Sequence, residues 1–472
     1  MKFYLAGEWQ DRETVIEVAN PFSGDIIDRV PAASAEDVAA ALASAVDGAA
    51  VMAAVHAYDR YVILRKTADL MRDRADDLAR TISMEEGKTL REALGEVERS
   101  AQTIDLSSEE AKRLGGEFLP LDGGKGTEGK LGFTMRVPCG VIAAITPFNF
   151  PLNLVCHKVG PALAAGNSVV LKPASDTPLV ALKLVEILLE SGVPPLAITC
   201  ITGSGSTVGN AICADRRVRK ISFTGSQEVG EQICKVAGLK RVTMELGSNS
   251  PLIVMPDANM DMVTKATLAC GYANAGQVCI SAQRLIVLDE VHDELIASLR
   301  PEIEAIAAGD QLDEQTQVGP MVRTQDAQRV HDWINEAVSQ GAELVCGGQR
   351  NGAVVQPALI DGATADMKVV REEVFGPAVA VLRATDIEDA IRMANDTNYG
   401  LSAGVFTQDI DAAMKFARQV HSGNIHINWG PMWRTDLMPY GGLKDSGLGK
   451  EGPKYAIEEM TEMKTIVIHS QV

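Results

Sequence analysis

The 472-residue sequence predicts an α/β fold: parallel β-sheets covered by helices on both faces. Two observations lead there. From Gly140 onward, short apolar runs alternate with helix-length segments, and a second, less regular alternation runs from Pro251 to about Asn428. Hydrophobic residues make up 46% of the chain, enough for a large core, and the length suggests about three domains. Charge narrows the function. With 44 basic and 63 acidic residues the net charge is −19, which argues against a binder of nucleic-acid backbones. No run of 18 apolar residues appears, and Met1-Lys-Phe-Tyr4 leads straight to Glu8 and Asp11 without a signal-peptide core. The 8 cysteines have no CxxC or metal-ligand spacing. They read as free thiols in a reducing compartment, so a cytoplasmic protein without metal or membrane partner is expected.

In chain order, residues 1–30 look like short strands joined by the turns Asn20-Pro21 and Ser23-Gly24. From Ser34 to about Leu114 the pattern is helical, with a stripe of Leu64, Ala68, Met71, Ala75, Leu78 and Ile82 at spacings of three and four. Gly115 to Gly132 is glycine-rich and polar, and Leu131–Val137 alternates, so this segment reads as a loop and hairpin projecting from the body. Strands are expected at Val141–Ile145, Ser168–Leu171, Ala197–Ile201, Lys220–Phe223 and Arg241–Leu246. One intervening helix begins near Pro151. Another has Thr177 as N-cap, Pro178 at its first position and Gly192 past its end. The terminal strand Lys464–His469 needs a partner edge, and a neighbouring subunit is one source.

Parallel sheets bind ligands beyond the carboxyl ends of their strands. Four such ends are polar: Thr146-Pro-Phe-Asn149, Lys172-Pro-Ala-Ser175, the 203–209 segment with its three glycines, and Thr224-Gly225-Ser226. Glycines and hydroxyls opening helices suit a pyrophosphate, although the spacing is not G-x-G-x-x-G and ordinary strand-to-helix turns look the same. Cys279, in Gly276-Gln-Val-Cys279, stands out from the other thiols because a glycine turn precedes it. Cys156, Cys200, Cys213, Cys234 and Cys270 sit in apolar contexts and read as buried small hydrophobes. Glu245 ends an apolar strand, where a carboxylate is either functional or a cap or ion-pair partner. His157 and His426 could pair with a cysteine, but each lies on an apolar segment and reads as a satisfied histidine.

Eight strings then occur in one order: Pro147-Phe-Asn-Phe-Pro151, Leu171-Lys-Pro-Ala174, Phe223-Thr-Gly-Ser226, Met244-Glu-Leu-Gly247, Gly276-Gln-Val-Cys279, Glu372-Glu-Val-Phe-Gly-Pro377, Pro439-Tyr-Gly-Gly442 and Ser446-Gly-Leu-Gly449. Together they resemble the NAD(P)-dependent aldehyde dehydrogenase superfamily over nearly the whole chain. The resemblance implies a Rossmann-type cofactor domain (1–115 and 138–246), an α/β catalytic domain (247–428) and a small β oligomerisation arm (116–137 and 455–472). Residues 429–454 would form a C-terminal loop returning to the cofactor domain. A homodimer or homotetramer is implied, its arm strand joining a neighbour's sheet.

For chemistry, the resemblance implies Cys279 as nucleophile, Asn149 and the Cys279 backbone N–H as oxyanion donors, and Glu245 as the base that activates water. Glu245 also favours release of a free acid over acyl transfer to coenzyme A. NADP or NAD would lie against Thr146, Pro147, Gly225, Ser226, Leu246, Gly247 and Phe375, with Lys172 and Glu373 on its two riboses. Ser175 replaces a glutamate common in strict NAD enzymes, so NADP is expected to be accepted. Two departures are Phe148, where tryptophan is common, and Ser248, where a second glycine is usual and a side chain could restrict the backbone. The strings around Cys279, Tyr440 and Glu451 are similar to the branch of lactaldehyde, non-phosphorylating glyceraldehyde-3-phosphate and succinate semialdehyde dehydrogenases. Arg434 would border the aldehyde entrance and hold an anionic tail, or be a solvated loop arginine. Val278 and Phe150 would supply apolar wall. Val278 argues against a strongly anionic substrate, leaving a small hydroxy-aldehyde or semialdehyde. Two other readings stay open: a catalytically silent relative that binds cofactor or serves a structural role, and a thiol hydrolase pairing Cys279 with His157.

Overall fold

Five apolar segments become the parallel strands β1 (Val141–Ile145), β2 (Ser168–Lys172), β3 (Ile198–Cys200), β4 (Val218–Thr224) and β5 (Arg241–Glu245). Every residue of β1, β2 and β3 is buried, the expected result for strands covered on both faces. The computed structural model, which describes residues 1–469, arranges them as β3-β2-β1-β4-β5. Chain order therefore reverses between β1 and β4, and a crevice opens beyond their C-terminal ends. Antiparallel edges complete eight strands: Phe3–Leu5 and Glu8–Gln10 beside β3, and Gly447–Leu448 beside β5. A second sheet of seven strands contains Ser250–Val254, Ala282–Leu288 and Ser402–Phe406 at its centre, all parallel.

The helical region resolves into Ala35–Ala54, Ala57–Asp73, Ala75–Glu86 and Leu90–Ala111. Capping boxes of Ser34 with Asp37 and Thr89 with Glu92 start the first and last. The predicted stripe is split, because the chain turns at Arg74 between two helices, and Ala75 is only half-buried. Ala35–Ala54 is long and apolar enough by mean hydropathy to cross a membrane, although Glu36, Asp37 and Asp47 interrupt it and no run of 18 apolar residues occurs. Here one face, including Val38, Leu42 and Met52, is buried in the core.

The helix expected from Pro178 runs Leu179–Ser191 and ends at Gly192 (φ 107°), but Thr177 does not cap it. The N–H groups of Leu179 and Val180 donate instead to the buried Glu85 carboxylate, at 2.7 and 3.0 Å. A carboxylate accepts two bonds and complements the helix dipole, so it outcompetes one hydroxyl. Cys234 corrects another expectation: it is exposed on helix Gln227–Ala237, since that helix turns its face to solvent there.

The third sheet has three antiparallel strands, Phe118–Leu119, Lys130–Pro138 and Thr461–His469. The terminal strand finds its partner edge in its own chain, from Thr461 opposite Pro138 to His469 opposite Lys130. Residues 470–472 of the expected arm lie outside the described residues.

Candidate active site

The turn before Cys279 is built from three successive left-handed residues, Asn274 (φ 50°), Ala275 (φ 52°) and Gly276 (φ 69°). A non-glycine residue in that region is strained and persists only where neighbours hold it. Asn274 is held on three sides. Its backbone N–H donates to Glu92 (2.8 Å), and its side-chain amide donates to Glu86 (2.9 Å) and to the Asn149 carbonyl (3.1 Å). Gly276 packs so closely on the 375–377 loop that a Cβ would lie 2.1 Å from the Gly376 carbonyl oxygen. This turn delivers Cys279 to the crevice.

A cavity of about 390 Å³, in the range of small-molecule sites, is lined by Pro147, Asn149, Gly225, Ser226, Leu246, Gly247, Cys279, Glu373 and Phe375 among others. Nine residues singled out from the sequence thus meet in one place. Thr146, Lys172, Ser175 and Glu245 are not among its walls. Thr146 and Lys172 stand at the adjoining ends of β1 and β2, bonded through Thr146 N–H to the Lys172 carbonyl (3.2 Å). Ser226 caps helix Gln227–Ala237 by accepting from Val229 N–H, and the start of that helix, Ser226 to Glu228, lines the cavity. The Lys172 ammonium is buried and, among the described residues, bonds only the Pro173 carbonyl (3.0 Å), and burial pushes it down to about 8. Ser175 Oγ donates to the Gly203 carbonyl (3.1 Å).

Phe375 (φ 45°) stands edge-on to Phe148, ring centres 5.9 Å apart. Ser248 is not among the residues with positive φ, so the serine does not strain this loop as expected. Its N–H donates to Glu373 (2.8 Å), and burial raises that carboxyl to about 7.

Around the thiol, Asn149 Nδ2 donates one hydrogen to the Gln277 carbonyl (2.8 Å). The Asn149 carbonyl in turn accepts from Lys88 Nζ (2.8 Å), whose ammonium pairs with Glu96 at 2.6 Å in full burial. Cys279 Sγ lies 3.3 Å from the Tyr440 hydroxyl. Burial pushes the thiol up to about 11, the Tyr440 hydrogen bond pulls it down, and the Glu245 charge pushes it further up. Glu245 is buried, and neither of its oxygens has a hydrogen-bond partner among the described residues. Burial first, then the charge of Glu451, raises it well above the ordinary carboxylate range.

Phe150 and Val278 join Ile280, Leu401, Tyr440 and Met432 in a small apolar cluster around Cys279. Arg434 is buried rather than solvated. Its guanidinium lies 3.8 Å over the Tyr440 ring, pairs with Asp436 and Glu451 (both 3.4 Å), and donates to His157 (3.0 Å). Its charge is therefore already shared with two carboxylates. His157 also meets Asp436 (3.1 Å), and burial lowers its pKa. It has no bond to Cys279. His426 is half-buried, with its ring 6.3 Å from Trp433.

Sequence reasoning missed Lys88, Asn274, Tyr440, Lys158 and Glu451. Lys158 Nζ is fully buried and bonds Glu451 (2.8 Å) and Thr224 (2.7 Å). For Lys158 the available signal was a lysine inside the mostly apolar, buried helix Asn153–Ala164.

Two sheets, a crevice at a topological switch point and a thiol lining that crevice beside an amide donor suit a nucleotide-dependent enzyme with a cysteine nucleophile. Sequence comparison agrees: the profile of the aldehyde dehydrogenase family matches residues 9–466, and the chain belongs to that family. It is 46% identical over 466 residues to 3-sulfolactaldehyde dehydrogenase of Priestia megaterium, covering 99% of this chain and 97% of that one. A lactaldehyde dehydrogenase of Methanococcus aeolicus is 39% identical, with 99% and 100% covered. Among solved structures, glyceraldehyde-3-phosphate dehydrogenase of Methanocaldococcus jannaschii complexed with NADP is 37% identical with TM-score 0.94, covering 98% and 100%.

Proposed function

We propose that the protein oxidises a short 2-hydroxy-aldehyde, of the lactaldehyde, glyceraldehyde or 3-sulfolactaldehyde kind, to its carboxylic acid with NADP, accepting NAD as well. The observation that carries this reading is Cys279 in the wall of the strand-end crevice, backed by a small apolar cluster that includes Tyr440, on whose ring Arg434 stacks. The similarity to relatives bearing these names supports the substrate class.

The residues fit a dinucleotide. Ser226 and the free helix N–H groups suit the pyrophosphate, and Glu373 and Phe375 border the same cavity. Lys172 offers an ammonium with no carboxylate bonded to it beside Ser175, where a 2′-phosphate would be tolerated. The nicotinamide, when bound, supplies an acceptor for the aldehyde hydrogen and its electron pair.

In the chain's own steps, Cys279 attacks the carbonyl carbon as thiolate, giving a thiohemiacetal and then, after oxidation, a thioester. Asn149 has a second amide hydrogen beyond the one bonded to Gln277, and with the Cys279 backbone N–H it stabilises the oxyanion, at about 3 kcal/mol per donor. Glu245, its oxygens free of other partners, takes the proton from the water that cleaves the thioester. The Thr461–His469 strand, at the margin of its sheet beside exposed Leu131, Phe133 and Met135, supports a homo-oligomer.

An aldehyde panel with both cofactors, followed at 340 nm, tests the reading. Highest kcat/KM is expected for short 2-hydroxy-aldehydes; better turnover of long apolar aldehydes, or none of any, would refute it.

A further inference from the structure

The thiol side of the cleft contains a contact that the reaction steps above leave unused. The Tyr440 hydroxyl lies 3.3 Å from Cys279 Sγ, and no other side chain bonds that sulfur among the described residues. Tyr440 is fixed from two directions. Its backbone exchanges both hydrogen bonds with Glu451, at 3.1 and 2.7 Å. Its ring face carries the Arg434 guanidinium, itself anchored by Asp436, Glu451 and His157. Both ends of the side chain are thereby set before any substrate arrives.

We propose that Tyr440 is a catalytic residue whose hydroxyl donates a hydrogen bond to the Cys279 thiolate, with the stacked Arg434 holding the ring in place. This rests on the reading of Cys279 as nucleophile. The geometry permits donation in either direction while the sulfur is a thiol. Once the sulfur ionises, only the hydroxyl can donate, and a hydrogen bond to a charged acceptor is about twice as strong as a neutral one. The contact therefore favours the ionised form. It offsets in part the burial and the nearby carboxylates that disfavour it.

The ionisable groups facing the sulfur come from several elements: Glu245 from the end of β5, Glu373 from the 372–377 loop, and Arg434 and Tyr440 from the C-terminal loop. Tyr440 itself feels Arg434, Glu245 and Cys279. Of these, only Tyr440 donates directly to sulfur, so its removal should be read in the ionisation of the thiol without changing any formal charge.

The test is alkylation of Cys279 by iodoacetamide as a function of pH, in the intact protein without aldehyde. The thiolate forms a carbon–sulfur bond while the carbon–iodine bond breaks and iodide leaves with the electron pair. Peptide mass mapping isolates Cys279 from the exposed Cys234. Tyr440→Phe keeps the ring, the stack and the packing volume, and NADP titration by fluorescence verifies that the variant is folded. The expected result is an alkylation midpoint raised by about one pH unit relative to the parent. An unchanged or lowered midpoint overturns the role. Because no aldehyde is oxidised in this assay, its failure is distinct from failure of the proposed reaction, which Cys279→Ala turnover measurements address.

Discussion

The two sides of the cleft are built by different means. The nucleotide side is made of strand ends: Pro147, Gly225, Ser226, Leu246 and Gly247 each sit within a few residues of an apolar strand that places them. The thiol side is made of buried charges drawn from distant parts of the chain. Lys88 bonds the Asn149 carbonyl from 61 residues upstream, Glu96 accepts from Leu152 N–H across 56, and Tyr440 reaches Cys279 across 161. A backbone-built surface tolerates side-chain change and binds; a buried ionic lattice fixes a few atoms at the cost of intolerance. Substitutions should therefore fall into two classes, with catalysis lost on one side and cofactor affinity on the other.

The sharpest separation is Cys279→Ala. It should abolish NAD(P)-linked oxidation and leave the cofactor dissociation constant nearly unchanged, as read by fluorescence titration beside a turnover assay. Next, Asn149→Ala should lower kcat about 10²- to 10³-fold with little change in cofactor binding, the loss expected for one oxyanion donor. Lys88→Met breaks the lattice one step behind. It strands Glu96 in full burial and should cost on the order of 3–5 kcal/mol of stability, measured by urea unfolding. A fall of that size in a residue that touches neither substrate nor cofactor would establish that the thiol side rests on its buried ions.

The smallest effects belong to the nucleotide side. Lys172→Met should raise KM for NADP by roughly tenfold while changing KM for NAD less, the difference being one charge-assisted contact. The parent enzyme should show the same selectivity with pH. If Lys172 holds the 2′-phosphate it does so in its ammonium form, and burial brings its pKa to about 8, so KM for NADP should climb above that pH while KM for NAD stays flatter. Parallel rises for both cofactors would remove Lys172 from phosphate recognition. Glu245 predicts the opposite slope in kcat: its working form is ionised and its pKa is raised, so turnover should be lost as pH falls, from well above the ordinary carboxylate range.

This division also explains what could be read from the sequence. The alternation of β1 to β5 with helices and the glycine turn before Cys279 are local patterns and appear where expected, whereas of the polar strand ends only those at Pro147–Asn149 and Thr224–Ser226 line the cavity. Capping of the Leu179–Ser191 helix was misread because its partner, Glu85, comes from 94 residues away. Arg434 is ambiguous in sequence, since nothing local indicates that two carboxylates and a tyrosine ring will enclose it. The Pro439-Tyr-Gly-Gly442 string contributes to the family resemblance, but nothing local in it marks Tyr440 as a partner of the sulfur, and only the third dimension brings the two together. Pairings that depend on tertiary placement leave no periodic trace, whereas strand ends do.

In the proposed reaction Cys279 carries the acyl group and Glu245 releases it. Glu245→Gln, mixed with NADP and lactaldehyde, tests it directly by intact-mass analysis alongside absorbance at 340 nm. A burst of about one equivalent of reduced cofactor per site, a stall, and an acyl mass added at Cys279 are expected. Unchanged steady-state turnover with no adduct would contradict it.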